Sequence, residues 1–213
     1  MQSQEIHNAL DQLSKRRPVF HSEADFQHAL AWQFQIANPD AKIRLEKQVA
    51  AKGSRVHLDL LVQMHDGETA IELKYKTRSA ILKHEKEEFS LRNQSAQDIG
   101  RHDFLKDVQR LEKYVSSKPS ALGFAVLLTN DRTYWTESKK IDSVDSAFRI
   151  HEGKQMAGEV TWSAKASAGT KRKREEAIKL RSSYTIGWRN YSSFGSGVAD
   201  EFRYILLCVQ GDA

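Results

Sequence analysis

The segment from Val56 to Lys76 constrains the fold of this chain more than any other. It contains two runs in which apolar and polar residues alternate, VHLDLLV and TAIELKYK, separated by His65-Asp66-Gly67-Glu68. Alternation with a period of two is typical of β-strands, and an Asp-Gly pair between two such runs is typical of a tight hairpin turn. The segment therefore predicts an antiparallel hairpin, with Asp59 on the first strand and Glu72 and Lys74 on the second.

Other strands and helices surround this hairpin in the sequence. Alternating apolar residues predict a strand before it, from about residue 42 to a turn at Gly53. Helical spacing predicts a helix over about 3–14, a second that begins after an N-cap at Ser22, and a third over about 98–115. The apolar run LGFAVLLT follows the third helix and predicts a buried strand. A strand, a helix and a strand in succession favour a parallel crossover within one mixed sheet.

Several parts of the chain have a weaker pattern. Residues 77–94 are highly charged and predict a loop or a mobile helical flap, and residues 151–174 predict a long exposed loop. The run EEAIKL is interpreted as a helix, and strands are expected again near 184–188 and 202–209. Within the hairpin, the apolar residues of the first strand are expected to share one face: Val56, Leu58, Leu60 and Val62.

Length and composition indicate a globular protein and exclude several other classes. The chain has 213 residues, of which 39% are hydrophobic, so it can build a core, and disordered or coiled-coil composition is excluded. At about 150 residues per domain, this length predicts a single domain over 1–213. The longest apolar stretch is far shorter than the roughly 20 residues of a membrane span, and the N-terminus lacks the pattern of a secretory signal. Together with a lone cysteine, Cys208, these features predict a cytoplasmic protein with no membrane partner.

Asp59 interrupts an otherwise apolar strand. A carboxylate is costly to bury there unless it is paired or bound to a metal. Because opposite positions on adjacent strands lie about 5 Å apart, the carboxylates of Asp59 and Glu72 could converge on one hard cation, with the backbone carbonyl of Leu73 as a third oxygen. Lys74 could then orient an attacking water. The alternatives are a solvated strand face that carries Glu72 and Lys74, and a salt bridge between Asp59 and Lys74.

The order of these elements resembles a known family. A capped helix that bears an acid (SEADFQHAL), the strand LDLLV, a hairpin, the strand IELKYK, a helix and an apolar strand resemble the PD-(D/E)xK nuclease superfamily, also called the restriction-endonuclease-like fold. The resemblance covers about 20–130 and implies an α/β core with a mixed central β-sheet flanked by helices. The remaining residues, about 131–213, would extend this sheet. Leu58 stands where the family motif has a proline.

The resemblance also implies a function and assigns roles to four side chains. Asp59 matches the metal-binding acid, Glu72 the second acid, Lys74 the motif lysine, and Glu23 the helical acid of many members. The implied activity is hydrolysis of phosphodiester bonds, above all in DNA, with Mg²⁺ or Mn²⁺ as the cofactor. Two alternatives stay open: an inactive nucleic-acid-binding or protein-interaction module on the same fold, and an unrelated α/β domain with a coincidental Glu-x-Lys. A homo-oligomer is compatible with each of them.

Basic residues indicate where a nucleic acid could bind. The formal charge is +5, and residues 161–190 contain eight Lys or Arg and two Glu, so the rest of the chain is nearly neutral. The densest basic run lies in an expected exposed segment over about 161–181 and predicts contacts with phosphates: Lys171, Arg172, Lys173 and Arg174. The alternative is a mobile loop with no ligand. On the helix over 98–115, Arg110 could contact a phosphate or form an ordinary surface pair with Asp107.

Overall fold

The structure is a computed structural model that describes residues 1–51, 54–118 and 120–211. The turn predicted at Gly53 lies outside the described residues, as does the side chain of Val56. In chain order, the helices and strands are α1 (Ser3–Arg16), α2 (Glu23–Ala37), β1 (Lys42–Ala51), β2 (Ser54–Met64), β3 (Gly67–Lys76), β4 (Ala80–His84), β5 (Glu87–Leu91), α3 (Gln97–Val115), β6 (Ala121–Thr129), β7 (Gln155–Val160), α4 (Ala168–Lys171), β8 (Ile178–Thr185), β9 (Trp188–Ser193) and β10 (Glu201–Val209), with a 3-10 turn at Ser146–Phe148.

Six strands of the described chain form one mixed sheet, in the order β1-β2-β3-β6-β10-β9. β3 and β6 are parallel, from Glu68 opposite Ala121 to Lys76 opposite Thr129. The other neighbours in the sheet are antiparallel. α3 lies in the connection between β3 and β6, because parallel strands need a long crossover. The predicted hairpin, parallel crossover and mixed sheet are confirmed.

Helices cover both faces of this sheet. α1 and α2 pack against one face, where Leu10 and Phe26 are fully buried. α3 packs against the other face, and the stripe that predicted it, which includes Phe104, Val108 and Leu111, is buried there. The protein is therefore α/β, with a mixed central sheet flanked by helices. No helix in the described ranges is long and apolar enough to cross a membrane.

Three expectations about the weaker segments are wrong. Residues 77–94 contain the hairpin β4–β5, and residues 151–174 contain β7, which pairs with β8. The run EEAIKL leads into β8, where Ile178 and Leu180 are buried and the residue between them is exposed. These strands have five to eight residues, and at most three apolar positions in each carry the alternation. A pattern of that length does not distinguish a strand from a loop or a helix.

β1 and β2 change faces at Glu46 and Asp59. Leu58 lies in the core beneath α3, whereas Leu60 lies in the core beneath α1 and α2. The expectation that these two leucines share one face is therefore wrong. Glu46 lies opposite Asp59 in the register of the two strands and has a φ of 49°. This left-handed conformation is uncommon outside glycine, and it breaks the regular alternation of the strand locally.

Gly67 allows the hairpin to pass close to the start of β6. Its φ is +153°, and a Cβ atom built on it would lie 2.6 Å from the carbonyl oxygen of Ser120. We expect Gly67→Ala to lower the free energy of unfolding by about 1–3 kcal/mol, because the backbone must shift to relieve this contact. The matched control is Gly187→Ala, where a Cβ would have no atom within 4 Å. Chemical denaturation measures both variants, and equal stabilities would contradict this account of the turn.

Candidate active site

The candidate site lies where β2 and β3 separate. The two strands pair from the hairpin turn as far as Leu60 and Ile71. Beyond that point β2 continues beside β1, and β3 continues beside β6. The backbone N–H groups on the open edge of β3 then need acceptors other than a neighbouring strand. The separation begins at Asp59 and Glu72, which are two of the predicted site residues.

Two carboxylates supply these acceptors. The N–H of Leu73 donates to Oδ2 of Asp59 at 2.6 Å, and the N–H of Tyr75 donates to Oε2 of Glu23 at 2.8 Å. Glu23 is the first residue of α2, directly after the predicted N-cap Ser22. Because N–H groups two residues apart on a strand point to the same side, Asp59 and Glu23 are held along one edge of β3. Burial raises the pKa of Asp59, against the opposing effect of the Leu73 hydrogen bond.

Glu72 is buried. The alternative that Glu72 and Lys74 lie on a solvent-exposed face of the strand is therefore wrong. Its side chain is 2% exposed because α3 covers this face of β3. Its Oε1 has no hydrogen-bond partner among the described residues, and the nearest cationic nitrogen is Nη1 of Arg110 at 3.7 Å. Burial raises the pKa of Glu72, and the negative charge of Asp107 raises it further, against the attraction of Arg110. The site thus contains a buried carboxyl group whose Oε1 is paired, within the described ranges, only with the distant guanidinium of Arg110.

Lys74 is held as an ammonium ion inside a cluster of carboxylates. Its Nζ lies 2.8 Å from Oδ2 of Asp107 and donates to the carbonyl of Leu73 at 3.0 Å. Burial disfavours the charge, but Asp107, Glu23 and Asp59 outweigh it and raise the pKa of Lys74 above its ordinary value. A lysine of this kind donates hydrogen bonds and does not act as a base at neutral pH. Its ion-pair partner is Asp107, not Asp59 as the sequence alternative had it.

Asp107 is a buried member of the site, which contradicts the interpretation as an ordinary surface pair. Its side chain is 2% exposed and contacts both Lys74 and Arg110. The sequence contained a signal for this position. Asp107 lies three residues after Phe104, so it interrupts the apolar stripe by which α3 faces the sheet. Arg110, predicted to contact a phosphate, is one-third exposed and already neutralises part of this buried charge.

A second layer of polar residues supports Asp59 from behind. Gln27 of α2 is buried, and its Nε2 donates to the backbone carbonyl of Asp59 at 2.7 Å and to Oε1 of Glu46 at 2.8 Å. These contacts join α2, β1 and β2 at the point where the strands change faces. Sequence reasoning missed Gln27 and Glu46, since no local pattern places a glutamine of one element against the backbone of another.

The predicted basic segment is only partly free to bind a ligand. Arg172 and Lys173 are exposed, and Lys171 ends the short helix α4. Arg174 instead forms a two-bonded ion pair with Asp103 at 2.8 and 2.9 Å. The segment over about 161–181, predicted to be exposed, also contains buried side chains. Trp162 is buried and stacks on His102 of α3, with 5.3 Å between the ring centroids, which anchors the segment to that helix. Its Nε1 donates to the carbonyl of Arg174 at 3.0 Å.

Taken together, the fork of β2 and β3 presents carboxylates that could help to hold a cation and one lysine that can donate a hydrogen bond. Across the described ranges, no group of three or more Asp, Glu, His or Cys side chains is arranged to hold a metal ion. A Mg²⁺ ion bound here would therefore depend on backbone oxygen and water in addition to side chains, which is usual for this ion. No family model matches the chain, and no curated protein and no solved structure matches it either.

Proposed function

We propose that this protein is a divalent-metal-dependent nuclease of the PD-(D/E)xK type that hydrolyses phosphodiester bonds in DNA. The observation that carries the proposal is the convergence at the strand fork of Asp59, Glu72, Lys74 and Glu23, which come from β2, β3 and α2. These residues come from separate parts of the chain, and the order of their elements agrees with the resemblance, which supports the proposal. The restriction-endonuclease-like fold is part of the same proposal.

The residues present fit a divalent cation. Asp59 and Glu72, together with the carbonyl of Leu73, would hold it. In support, Oε1 of Glu72 is buried without a hydrogen-bond partner among the described residues, and a buried carboxylate of this kind is costly unless a cation compensates it. When bound, Mg²⁺ would activate a water molecule and offset negative charge on the phosphoryl oxygens. The surplus of carboxylates over cationic side chains at the fork also favours a doubly charged ion.

The side chains of this site then have separable tasks. Lys74, kept protonated by Asp107, donates a hydrogen bond to the attacking water or to the phosphoryl oxygen that gains charge. Asp107 is a positioning residue, because it contacts Lys74 Nζ and fixes its direction. Glu23 and Asp59 hold the edge of β3 through backbone hydrogen bonds, so the lysine sits on a rigid strand. The partly exposed Lys171 and the exposed Arg172 and Lys173 are proposed to contact phosphates of the substrate.

The proposal is tested with labelled single-stranded and double-stranded DNA, with RNA alongside, in Mg²⁺, Mn²⁺ or EDTA. We expect cleavage of DNA with Mg²⁺ or Mn²⁺, none with EDTA, and a loss of about 100-fold or more in Asp59→Asn. Asp66→Asn, an exposed residue in the turn of the same hairpin, is the matched control. Folded wild-type protein that binds DNA but cleaves none of the panel would favour the inactive binding module. Cleavage by Asp59→Asn at the wild-type rate would contradict the proposed site.

A further inference from the structure

A second basic surface lies at the carboxyl ends of β3 and β6. Because the two strands are parallel, the residues that follow them, Arg78 and Arg132, leave the sheet at the same edge. With Arg149 they line a cavity of about 280 Å³. A neighbouring cavity of about 380 Å³ shares Arg149 and adds Lys140 and Lys154. We call this surface, formed by Arg78, Arg132, Arg149, Lys140 and Lys154, the arginine groove.

The backbone beneath the arginine groove is held firmly. Asn130 is fully buried, its Oδ1 accepts from the N–H of Arg78 at 2.7 Å, and its Nδ2 donates to the carbonyl of Arg78 at 3.2 Å. Asp131 is also buried and accepts from the N–H of Thr133 at 3.0 Å. These bonds fix the loops after β3 and β6 relative to each other. The exposed guanidinium groups are therefore mounted on rigid backbone, which lowers the entropic cost of binding a ligand.

Nearby acids balance only part of the positive charge in the arginine groove. Arg78 and Arg132 are exposed, and neither forms an ion pair with a carboxylate of the described residues. Asp145 does contact Arg149 at 3.1 Å, but it also pairs with buried Arg101 at 2.8 Å, so one carboxylate serves two arginines. Glu137 is the single acid that lines either cavity in the described chain. Such an arrangement favours a polyanionic ligand.

We propose that the arginine groove binds the phosphodiester backbone of the DNA beside the strand fork. This inference rests on the proposed nuclease function, since it gives the substrate a second contact close to the end of β3. Arg78 is the fourth residue after Lys74, so their Cα atoms lie within about 14 Å of each other. Arginine matches phosphate geometry with paired hydrogen bonds, and neither cavity is lined by Phe, Tyr, Trp, Asn or Gln that would read bases. We expect a contact of this kind, made to phosphates, to be independent of base sequence.

The test measures binding without cleavage. A fluorescent DNA duplex is titrated with wild type and with Arg78→Gln/Arg132→Gln in EDTA, by anisotropy over a series of salt concentrations. Loss of two phosphate contacts should reduce the slope of log K against log salt by about two and weaken binding about 60-fold near 0.1 M salt. The matched control, Lys42→Gln/Lys113→Gln, removes two exposed charges at the opposite end of the sheet and should bind almost as wild type.

The outcomes distinguish failure of the groove from failure of the nuclease function. Unchanged affinity and slope in Arg78→Gln/Arg132→Gln, or equal weakening in the control, would overturn the groove. Binding to vesicles of anionic phospholipid without binding to DNA would overturn it as well. Because EDTA is present throughout, a groove-dependent slope in a protein that cleaves no DNA would leave the groove in place and count against the nuclease function. Both altered arginines are exposed, and thermal unfolding checks that the variants are folded.

Discussion

Lys74→Met should reduce the rate of DNA cleavage by about 100-fold or more at saturating metal. The methionine keeps the length and apolar stem of the side chain but removes the ammonium group, which lies 2.8 Å from Asp107 and donates to the carbonyl of Leu73. Without this donor, the charge that develops during hydrolysis loses its one lysine contact at the fork. Metal binding should persist, because Lys74 is not among the groups proposed to hold the ion.

The control for this variant lies on the same strand. Lys76→Met changes a partly exposed lysine two residues further along β3 and should keep most of the activity. Single-turnover rates on the best substrate of the panel compare the two variants, and binding of the metal is followed separately by its effect on thermal unfolding. A rate for Lys74→Met close to that of Lys76→Met would remove Lys74 from the reaction. Loss of metal binding together with activity would assign it a structural role.

Glu72→Gln should reduce the rate of DNA cleavage by about 100-fold or more. The same substitution should raise the free energy of unfolding of the metal-free protein. The two effects have one cause. Glu72 is buried, its Oε1 has no hydrogen-bond partner among the described residues, and Asp107 adds a like charge. A carboxylate in such surroundings is costly until a cation arrives, whereas a neutral amide has no charge to desolvate. Mg²⁺ should therefore raise the unfolding midpoint of wild type but not of Glu72→Gln.

The raised pKa of Glu72 also predicts the direction in which the stability of the metal-free protein changes with pH. Burial raises the pKa of Glu72 above its ordinary value of 4.5, so the folded protein favours the protonated form of this carboxyl group. The resulting contribution to the free energy of unfolding is fully present below pH 4.5 and is lost as the pH rises through the raised pKa. Metal-free wild type should thus lose stability with rising pH across this window. Glu72→Gln should show a flatter profile, measured by thermal unfolding in EDTA.

Glu68, on the same strand, provides the opposite case. Burial disfavours its charge, but hydrogen bonds from Lys118 and Tyr114 outweigh burial and lower the pKa of Glu68. The contribution of ionised Glu68 to the free energy of unfolding is therefore present above pH 4.5 and is lost as the pH falls through the lowered pKa. Glu68→Gln should destabilise the protein at neutral pH while Glu72→Gln stabilises it. Destabilisation by both variants would indicate that Glu72 is a paired structural carboxylate, which contradicts its proposed role as a metal ligand.

Much of the fold could be predicted from local patterns. The hairpin around Asp66-Gly67, the helix with Phe104 and Val108 on one stripe, and the buried strand that follows it are all present. In each case the apolar period extends over enough residues to select one secondary structure. The strands of 77–94 and β8 were missed because their alternation covers only a few residues among many charges. The change of faces at Asp59 was missed because the left-handed conformation of Glu46 has no signature in the sequence.

The distribution of charge could also be predicted only in part from the sequence. The sequence concentrates net positive charge in residues 161–190 and leaves the rest nearly neutral. In three dimensions, Arg174 of that segment is neutralised by Asp103, whereas Arg78, Arg132 and Arg149 from separate parts of the chain line one groove. A sum over a segment counts charges without their partners, and ion pairs form between segments. The phosphate contacts proposed for the arginine groove therefore needed the tertiary structure.

The sequence by itself determined that Asp59, Glu72 and Lys74 lie on two adjacent strands, because a period of two and a tight turn are properties of neighbouring residues. Only the tertiary structure decided what surrounds them. The packing of α3 across β3 buries Glu72 and brings Asp107 to Lys74, and the parting of β2 from β3 opens the edge that Asp59 and Glu23 occupy. Burial and pKa depend on which atoms pack against a side chain, and those atoms come from elements far away in the chain.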